Sequence, residues 1–228
     1  MIIAYCANRA IYHLLPTAIN SVLKNNADIE KIYIFIEDDK IDYINHPAVI
    51  FVNCNDYDFL IRKGINCTKR FPYMAMVRCF FSKMIDEDKV LYLDVDTTVD
   101  GSLEELWNTN LGGTYLAARE ESNGYFNSGV LLMNLRAIRN SGKDNKLLDL
   151  LKTCKFVFPD QDAMNIIFNK NVTLIPEKFN KMGRDYQVYD GSEIIIRHYA
   201  GITKPWKKTA SELDKQFWGK YYTDSITK

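Results

Sequence analysis

Lys89-Val-Leu-Tyr-Leu-Asp-Val-Asp-Thr-Thr-Val99 is an apolar run that ends in two carboxylates, Asp94 and Asp96, with one valine between them. The run 90–93 reads as a buried strand. In an extended backbone, side chains at i and i+2 leave the same face. A strand ending here is expected to aim both carboxylates at one point. Two like charges that close repel unless a positive group sits between them. A divalent cation meets that need, and oxygen ligands suit manganese or magnesium.

Around this run, short apolar stretches alternate with helical patterns. Residues 2–5, 32–36 and 49–52 read as strands, and 15–24 as a helix with Leu15, Ala18, Ile19, Val22 and Leu23 on one face. Pro72 suits a first helical turn, so a helix is expected over 72–85. Further on, 114–118, 129–134, 172–175 and 193–198 read as strands, and 145–155, 162–169 and 211–222 as helices. Such alternation predicts an α/β domain with a mainly parallel central sheet. Ligands of such sheets bind beyond the carboxyl ends of the strands, where Asp94 and Asp96 fall.

The chain has 228 residues, enough for one large domain, or one domain with a small appendage. Hydrophobic residues make up 47%, which supports a sizeable core and argues against disorder. The 29 basic and 29 acidic residues cancel, so no dedicated nucleic-acid surface is expected. Apolar stretches fall short of a membrane span, and Met1 leads straight into the first predicted strand, with no signal peptide to be read. The five cysteines (6, 54, 67, 79 and 154) form no CxxC pair, and reduced thiols in a cytoplasmic protein are expected. The Asn-x-Thr sequons at Asn66 and Asn171 read as chance matches.

Four further groups bear on chemistry. His198, in Arg197-His-Tyr-Ala-Gly-Ile-Thr-Lys-Pro-Trp206, offers an imidazole that could complete a manganese site begun by the carboxylates. Gly201 permits close backbone approach, and Lys204 can neutralise a phosphate. Asn127, in Phe126-Asn-Ser-Gly-Val130, has a donor and an acceptor for a hydroxylated ligand, against the plain alternative of a turn. Phe158-Pro-Asp-Gln-Asp162 lies at an apparent helix start, where capping alone explains at least one of Asp160 and Asp162. Arg78, among apolar neighbours, needs an anionic partner: a ligand, or a structural salt bridge to Asp94 or Asp96.

In this order, Arg78, Leu91-Tyr-Leu-Asp-Val-Asp96, Phe126-Asn-Ser-Gly-Val130, Asp160-Gln-Asp162 and His198-Tyr-Ala-Gly-Ile-Thr-Lys-Pro-Trp206 resemble the family-eight retaining glycosyltransferases, which include glycogenin and lipopolysaccharide galactosyl- and glucosyltransferases. The likeness runs from the first strand to about Trp206. It implies a GT-A, Rossmann-like fold with a small mixed acceptor-side portion, over 1–206, and leaves 207–228 as a C-terminal helical extension. It implies a UDP-hexose donor (glucose or galactose), Mn2+ or Mg2+ on the pyrophosphate, and a glycan, lipid-linked sugar or protein as acceptor. By this resemblance Asp94, Asp96 and His198 ligate the metal, and Gly201 and Lys204 contact the diphosphate. Arg78, Asn127 and Asp160 hold the donor sugar, and Gln161 lies beneath the anomeric carbon, so Asp160 and Gln161 are the candidate catalytic pair. Ala7, Asn8 and Val95 complete the donor-binding set. The neutral amide of Gln161 is a poor nucleophile, so same-face attack is expected, with the departing phosphate taking the acceptor's proton.

Two departures matter. Relatives carry an acidic residue and an asparagine or tyrosine after the first strand to grip uridine, where this chain reads Cys6-Ala-Asn-Arg-Ala-Ile-Tyr12. The stretch 120–125 is also short for a closing loop. Two rival readings remain at this point. Leu93-Asp-Val-Asp-Thr-Thr-Val99 fits the opening motif of haloacid-dehalogenase-type phosphatases, with Asp94 as nucleophile and Asp96 as acid/base. A catalytically degenerate nucleotide- or glycan-binding domain is the other.

Overall fold

The computed structural model describes residues 1–183 and 191–227. Among the described residues, twelve strands form three sheets: β1 (Ile2–Cys6), β2 (Lys31–Ile36), β3 (Ile44–Asn45), β4 (Val49–Asn53), β5 (Lys89–Leu93), β6 (Thr97–Val99), β7 (Leu116–Ser122), β8 (Tyr125–Asn134), β9 (Val172–Leu174), β10 (Lys181–Met182), β11 (Ile196–His198) and β12 (Ile226–Thr227). The α-helices described are α1 (Leu15–Asn25), α2 (Tyr73–Met76), α3 (Glu104–Trp107), α4 (Leu135–Ser141), α5 (Lys143–Thr153), α6 (Pro159–Phe168) and α7 (Glu212–Gly219). The main sheet has seven strands in the order β4-β2-β1-β5-β8-β7-β9. All its pairings are parallel except those of β8 with β5 and β7. The chain builds outward from β1 to β2 and β4, then returns to place β5 on the other side of β1. That reversal opens a crevice between the carboxyl ends of β1 and β5.

The sheet is covered on both faces, which is why its strands read as nearly unbroken apolar runs. Alternate residues feed alternate layers. Ile3, Tyr5, Ile32 and Ile34 pack with Leu15, Ala18, Ile19 and Val22 of α1. Ala4, Phe35 and Tyr92 pack with Phe80, Phe81 and residues of α5 and α6 on the opposite side. The helix expected over 72–85 is instead α2 followed by 3-10 turns, Val77–Lys83. Val77, Phe80 and Phe81 are poor helix formers that all need burial, and the tighter winding accompanies their packing. Asn66 is buried and donates its amide to Leu151 and Cys154, so its sequon is part of the interior.

A three-stranded sheet, β10-β11-β6, stands beside the crevice. The C-terminal segment braces it. Trp218 of α7 packs edge-on against Tyr199, with ring centroids 5.6 Å apart, and lies 5.0 Å from Trp206. Asp100, just beyond β6, accepts from Arg197 Nε (2.8 Å), Lys220 Nζ (2.9 Å) and Tyr221 OH (2.9 Å). Asp100→Ala removes three hydrogen bonds, one of them from the largely buried Arg197, so it is expected to cost about 3 kcal/mol. Urea unfolding measures this, and a change within about 0.5 kcal/mol, the range of ordinary surface substitutions, would refute the brace.

Candidate active site

β5 ends at Leu93, and Asp94-Val95-Asp96 lies in the turn that follows, closed by Thr97 N–H donating to the Asp94 carbonyl (3.1 Å). The expected convergence of the two carboxylates is present, but its cause differs from the extended-strand argument. The turn folds Asp96 back, and Val95 packs into the core beneath it. His198 arrives through backbone pairing. β11 runs antiparallel to β6 with His198 opposite Thr97, and Tyr199 N–H donates to the Asp96 carbonyl (2.9 Å). One ligand atom from each of Asp94, Asp96 and His198 then falls within 4.8 Å of the others. Two carboxylate oxygens and an imidazole nitrogen are a donor set suited to manganese.

The motif 126–130 is a distortion of the sheet. Between the pairs Ala118↔Leu131 and Glu120↔Phe126, β7 advances from 118 to 120 while β8 advances from 131 to 126. The surplus residues of β8 bulge into the crevice. Between Glu120↔Phe126 and Ser122↔Tyr125 the surplus falls on β7, at Glu121. Bulges re-aim side chains beside active sites. The backbone groups that lose their ladder partners are met by α6, whose Asn165 exchanges two hydrogen bonds with Phe126 (2.8 and 2.9 Å) and whose Gln161 Oε1 accepts from Ser128 N–H (2.9 Å). Gly129 sits where no side chain fits: a Cβ there would lie 2.2 Å from His198 Cε1 and 2.8 Å from Asp94 Oδ2.

Charge is closely matched. Arg78 Nη1 holds Asp94 Oδ1 (2.9 Å), its Nε lies 3.3 Å from Asp160 Oδ2, and its guanidinium stacks 4.3 Å over the Tyr92 ring. Tyr92 OH donates to the same Asp94 oxygen (2.5 Å). Lys204 Nζ holds Asp96 Oδ2 (2.5 Å), while His198 Nε2 is 3.5 Å from both Asp94 Oδ2 and Asp96 Oδ1. Arg78 therefore makes the structural salt bridge and also lines the cleft. Burial favours the neutral acid of Asp96, but Lys204 and His198 outweigh it and push the group well below the usual range. Burial, with Asp94 nearby, raises Asp160 against the pull of Arg78.

A cleft of about 1030 Å³ collects Arg78, Asp94, Asp96, Asn127, Asp160, Gln161, His198, Gly201 and Lys204. Three expected donor-binding residues are not among those lining it. Ala7 is buried and donates its N–H to Phe35 (3.0 Å), and Val95 turns its side chain into the core. Asn8 follows β1, and its Oδ1 is the one buried side-chain polar atom without a partner among the described residues. Of the two aspartates at the α6 start, Asp162 accepts from Val157 and Phe158 N–H (3.0 and 2.9 Å) and so ties down the residues that lead into the helix, leaving Asp160 to face Arg78. Two residues missed in the sequence complete the surroundings. Glu121 Oε2 lies 3.4 Å from both Asn127 Nδ2 and Gln161 Nε2, and Asn180 Oδ1 lies 2.9 Å from His198 Nδ1. A bulge and a single asparagine leave no periodic signal.

Burial alone would lower the His198 pKa from 6.5, but Asp96 first, then hydrogen bonds to Asp94 and Asp96, raise it to about 9. The histidinium thus bridges the carboxylates when no metal does. A raised folded-state value contributes stability that is fully present below 6.5 and is lost as pH rises through about 9. Chelator-treated protein is expected to lose up to about 3 kcal/mol across that window. Asp96→Asn should flatten the decline, and urea midpoints that stay constant with pH in the unsubstituted protein would contradict it.

Residues 2–210 match the family described as Glycosyl transferase family 8. The glycosyltransferase GlyB of Streptococcus pneumoniae serotype 4 is 29% identical over 247 residues, covering 96% of this chain and 61% of GlyB. The lipopolysaccharide 1,2-glucosyltransferase of Escherichia coli is 30% identical over 64% of this chain and 52% of its own length. The lipopolysaccharide 1,3-galactosyltransferase of Salmonella typhimurium is 28% identical over 72% and 57%. This chain thus spans only about half to three fifths of these relatives. Among solved structures, GlyE of Streptococcus pneumoniae TIGR4 superposes with a TM-score of 0.80 at 23% identity, over 96% of this chain and 59% of that one. An active-site glutamine-to-glutamate mutant of LgtC gives 0.80 at 22%, over 100% and 97%. The phosphatase reading of Asp94 and Asp96 finds no support here. The chain has a GT-A fold and belongs to glycosyl transferase family 8.

Proposed function

We propose that this chain is a retaining hexosyltransferase that moves glucose or galactose from a UDP-sugar to a hydroxyl on a glycan or other acceptor, with Mn2+ as its metal. The observation that carries this reading is the meeting of Asp94, Asp96 and His198 within 4.8 Å, in a cleft also lined by Lys204, Asp160 and Gln161. The glucosyl- and galactosyltransferase relatives support a hexose donor. A glycan acceptor, polysaccharide biosynthesis and a cytoplasmic site of action belong to the same proposal. The described residues are consistent with it: their cysteines are free and no helix among them is long and apolar enough to cross a membrane.

Asp94, Asp96 and His198 would hold the metal, which when bound supplies positive charge to the diphosphate as the bond to the sugar breaks. Lys204 adds a second cation from the other side of Asp96, in a cleft that Gly201 (φ +105°) also lines. Charge that grows on the leaving group is stabilised more by such cations than the ground state is. Gln161, pinned by Ser128 N–H, presents a neutral amide to the reacting carbon. That amide favours same-face attack over a covalent intermediate. Asn8, with its unpartnered buried oxygen after β1, is the candidate contact for the base.

Calorimetric titration with UDP- and GDP-sugars, with and without manganese, tests the reading. Manganese-dependent binding of one UDP-hexose is expected, and tight UDP binding without turnover on any donor or acceptor would favour a degenerate binding domain instead. Asp96→Ala and His198→Ala should each lower kcat/KM on the order of 10²-fold or more. Gln161→Ala should lower kcat with little change in donor affinity, and a pure affinity loss would refute its place at the reacting carbon.

A further inference from the structure

Asn180 lies in Phe179-Asn-Lys181, belongs to no motif read from the sequence, and is fully buried. Its side chain joins His198 to the β8 bulge. Oδ1 is 2.9 Å from His198 Nδ1, and Nδ2 is 3.0 Å from Asn127 Oδ1. Which atom of each amide is oxygen follows from fixed groups at the ends of this chain. The backbone N–H of Gly129 can only donate, and it lies 2.9 Å from Asn127 Oδ1, so that atom must be the acceptor. At the other end, Asn127 Nδ2 faces the Glu121 carboxylate at 3.4 Å, consistent with the same orientation. The atom of Asn180 that faces Asn127 Oδ1 must then donate and is its nitrogen, which leaves its oxygen toward the imidazole. His198 Nδ1 must therefore carry a hydrogen.

The other ring nitrogen, Nε2, faces Asp94 and Asp96 at 3.5 Å each. The absence of a side chain at Gly129 lets the ring lie against the backbone, so its position as well as its tautomer is set. We propose that Asn180 is the positioning residue that holds His198 in the Nδ1–H form, with the Nε2 lone pair aimed at the cation. This rests on the reading of Asp94, Asp96 and His198 as metal ligands. Partners of this kind orient a ligating histidine, and losing one typically lowers metal affinity about 10- to 100-fold.

Mn2+ binding without nucleotide, followed by electron paramagnetic resonance of the free ion, tests the proposal in three proteins. Asn180→Ala is expected to lower affinity at least about tenfold. Asn180→Asp keeps the acceptor for Nδ1 but loses the donor to Asn127, so it should lose stability and yet retain most of the affinity. Unchanged affinity in Asn180→Ala overturns the proposal. So does an equal loss in both variants, because that pattern describes packing rather than positioning. Nitrogen-15 spectra of histidine-labelled, Mg2+-saturated unsubstituted protein need no variant to fold, and the chain has only 3 histidines to assign. A proton on Nδ1 of His198 is expected, and a proton on Nε2 overturns the proposal. Failure of the unsubstituted protein to bind either ion sinks the metal reading itself, an outcome distinct from a null result confined to the Asn180 variants.

Discussion

Three aspartates gathered around one set of cations are the constraint on which the rest of the site depends. Asp94, Asp96 and Asp160 line the same cavity, and Asp160 is almost fully buried. Buried like charges at this spacing are unstable unless each meets a cation. Arg78 serves Asp94 and Asp160, Lys204 serves Asp96, and protonated His198 lies between Asp94 and Asp96. Of these, the imidazole gives up its charge as pH rises through about 9. The imidazole is thus the one place where a metal can replace a proton without leaving a carboxylate unpaired.

Bringing those groups together requires the main sheet to be imperfect. A regular β8 would keep its ladder with β7 and leave no room for the His198 ring. The bulge at 127–130 turns that backbone into the crevice, and Gly129 omits the side chain that would collide with the ring. The cost is a set of peptide groups without strand partners, which Gln161 and Asn165 offset. They are one helical turn apart and so share a face of α6. The same helix therefore repairs the distorted strand and presents Gln161 and Asp160 to the cleft.

How much of this was legible follows from the physics of each part. β5 and α1 were readable within a residue or so, because continuous apolar runs and helical spacing are local signals. The Asp94–Asp96 pair was readable as a site, but the extended-strand geometry offered for it was replaced by a turn. Its fold depends on pairing between β6 and β11, whose partners lie about one hundred residues apart in the chain. The 3-10 winding around Arg78 and the β8 bulge depend on packing that no window of sequence contains. Asn180 is an asparagine like any other until His198 is placed beside it.

The C-terminal segment then reads as part of the site rather than as an addition to it. The backbone of His198 belongs to the short strand β11, and a strand of three residues has little stability of its own. Its neighbours supply the rest. Arg197 is locked to Asp100, its guanidinium lies 3.5 Å from the Phe217 ring centroid, and Tyr199 is pressed by Trp218. Both flanks of His198 are thus fixed, and α7 takes part in each. A chain ending near Trp206 would keep every proposed metal ligand and lose the packing that keeps one of them in place. Position, more than residue identity, decides whether two carboxylates and an imidazole can share one ion.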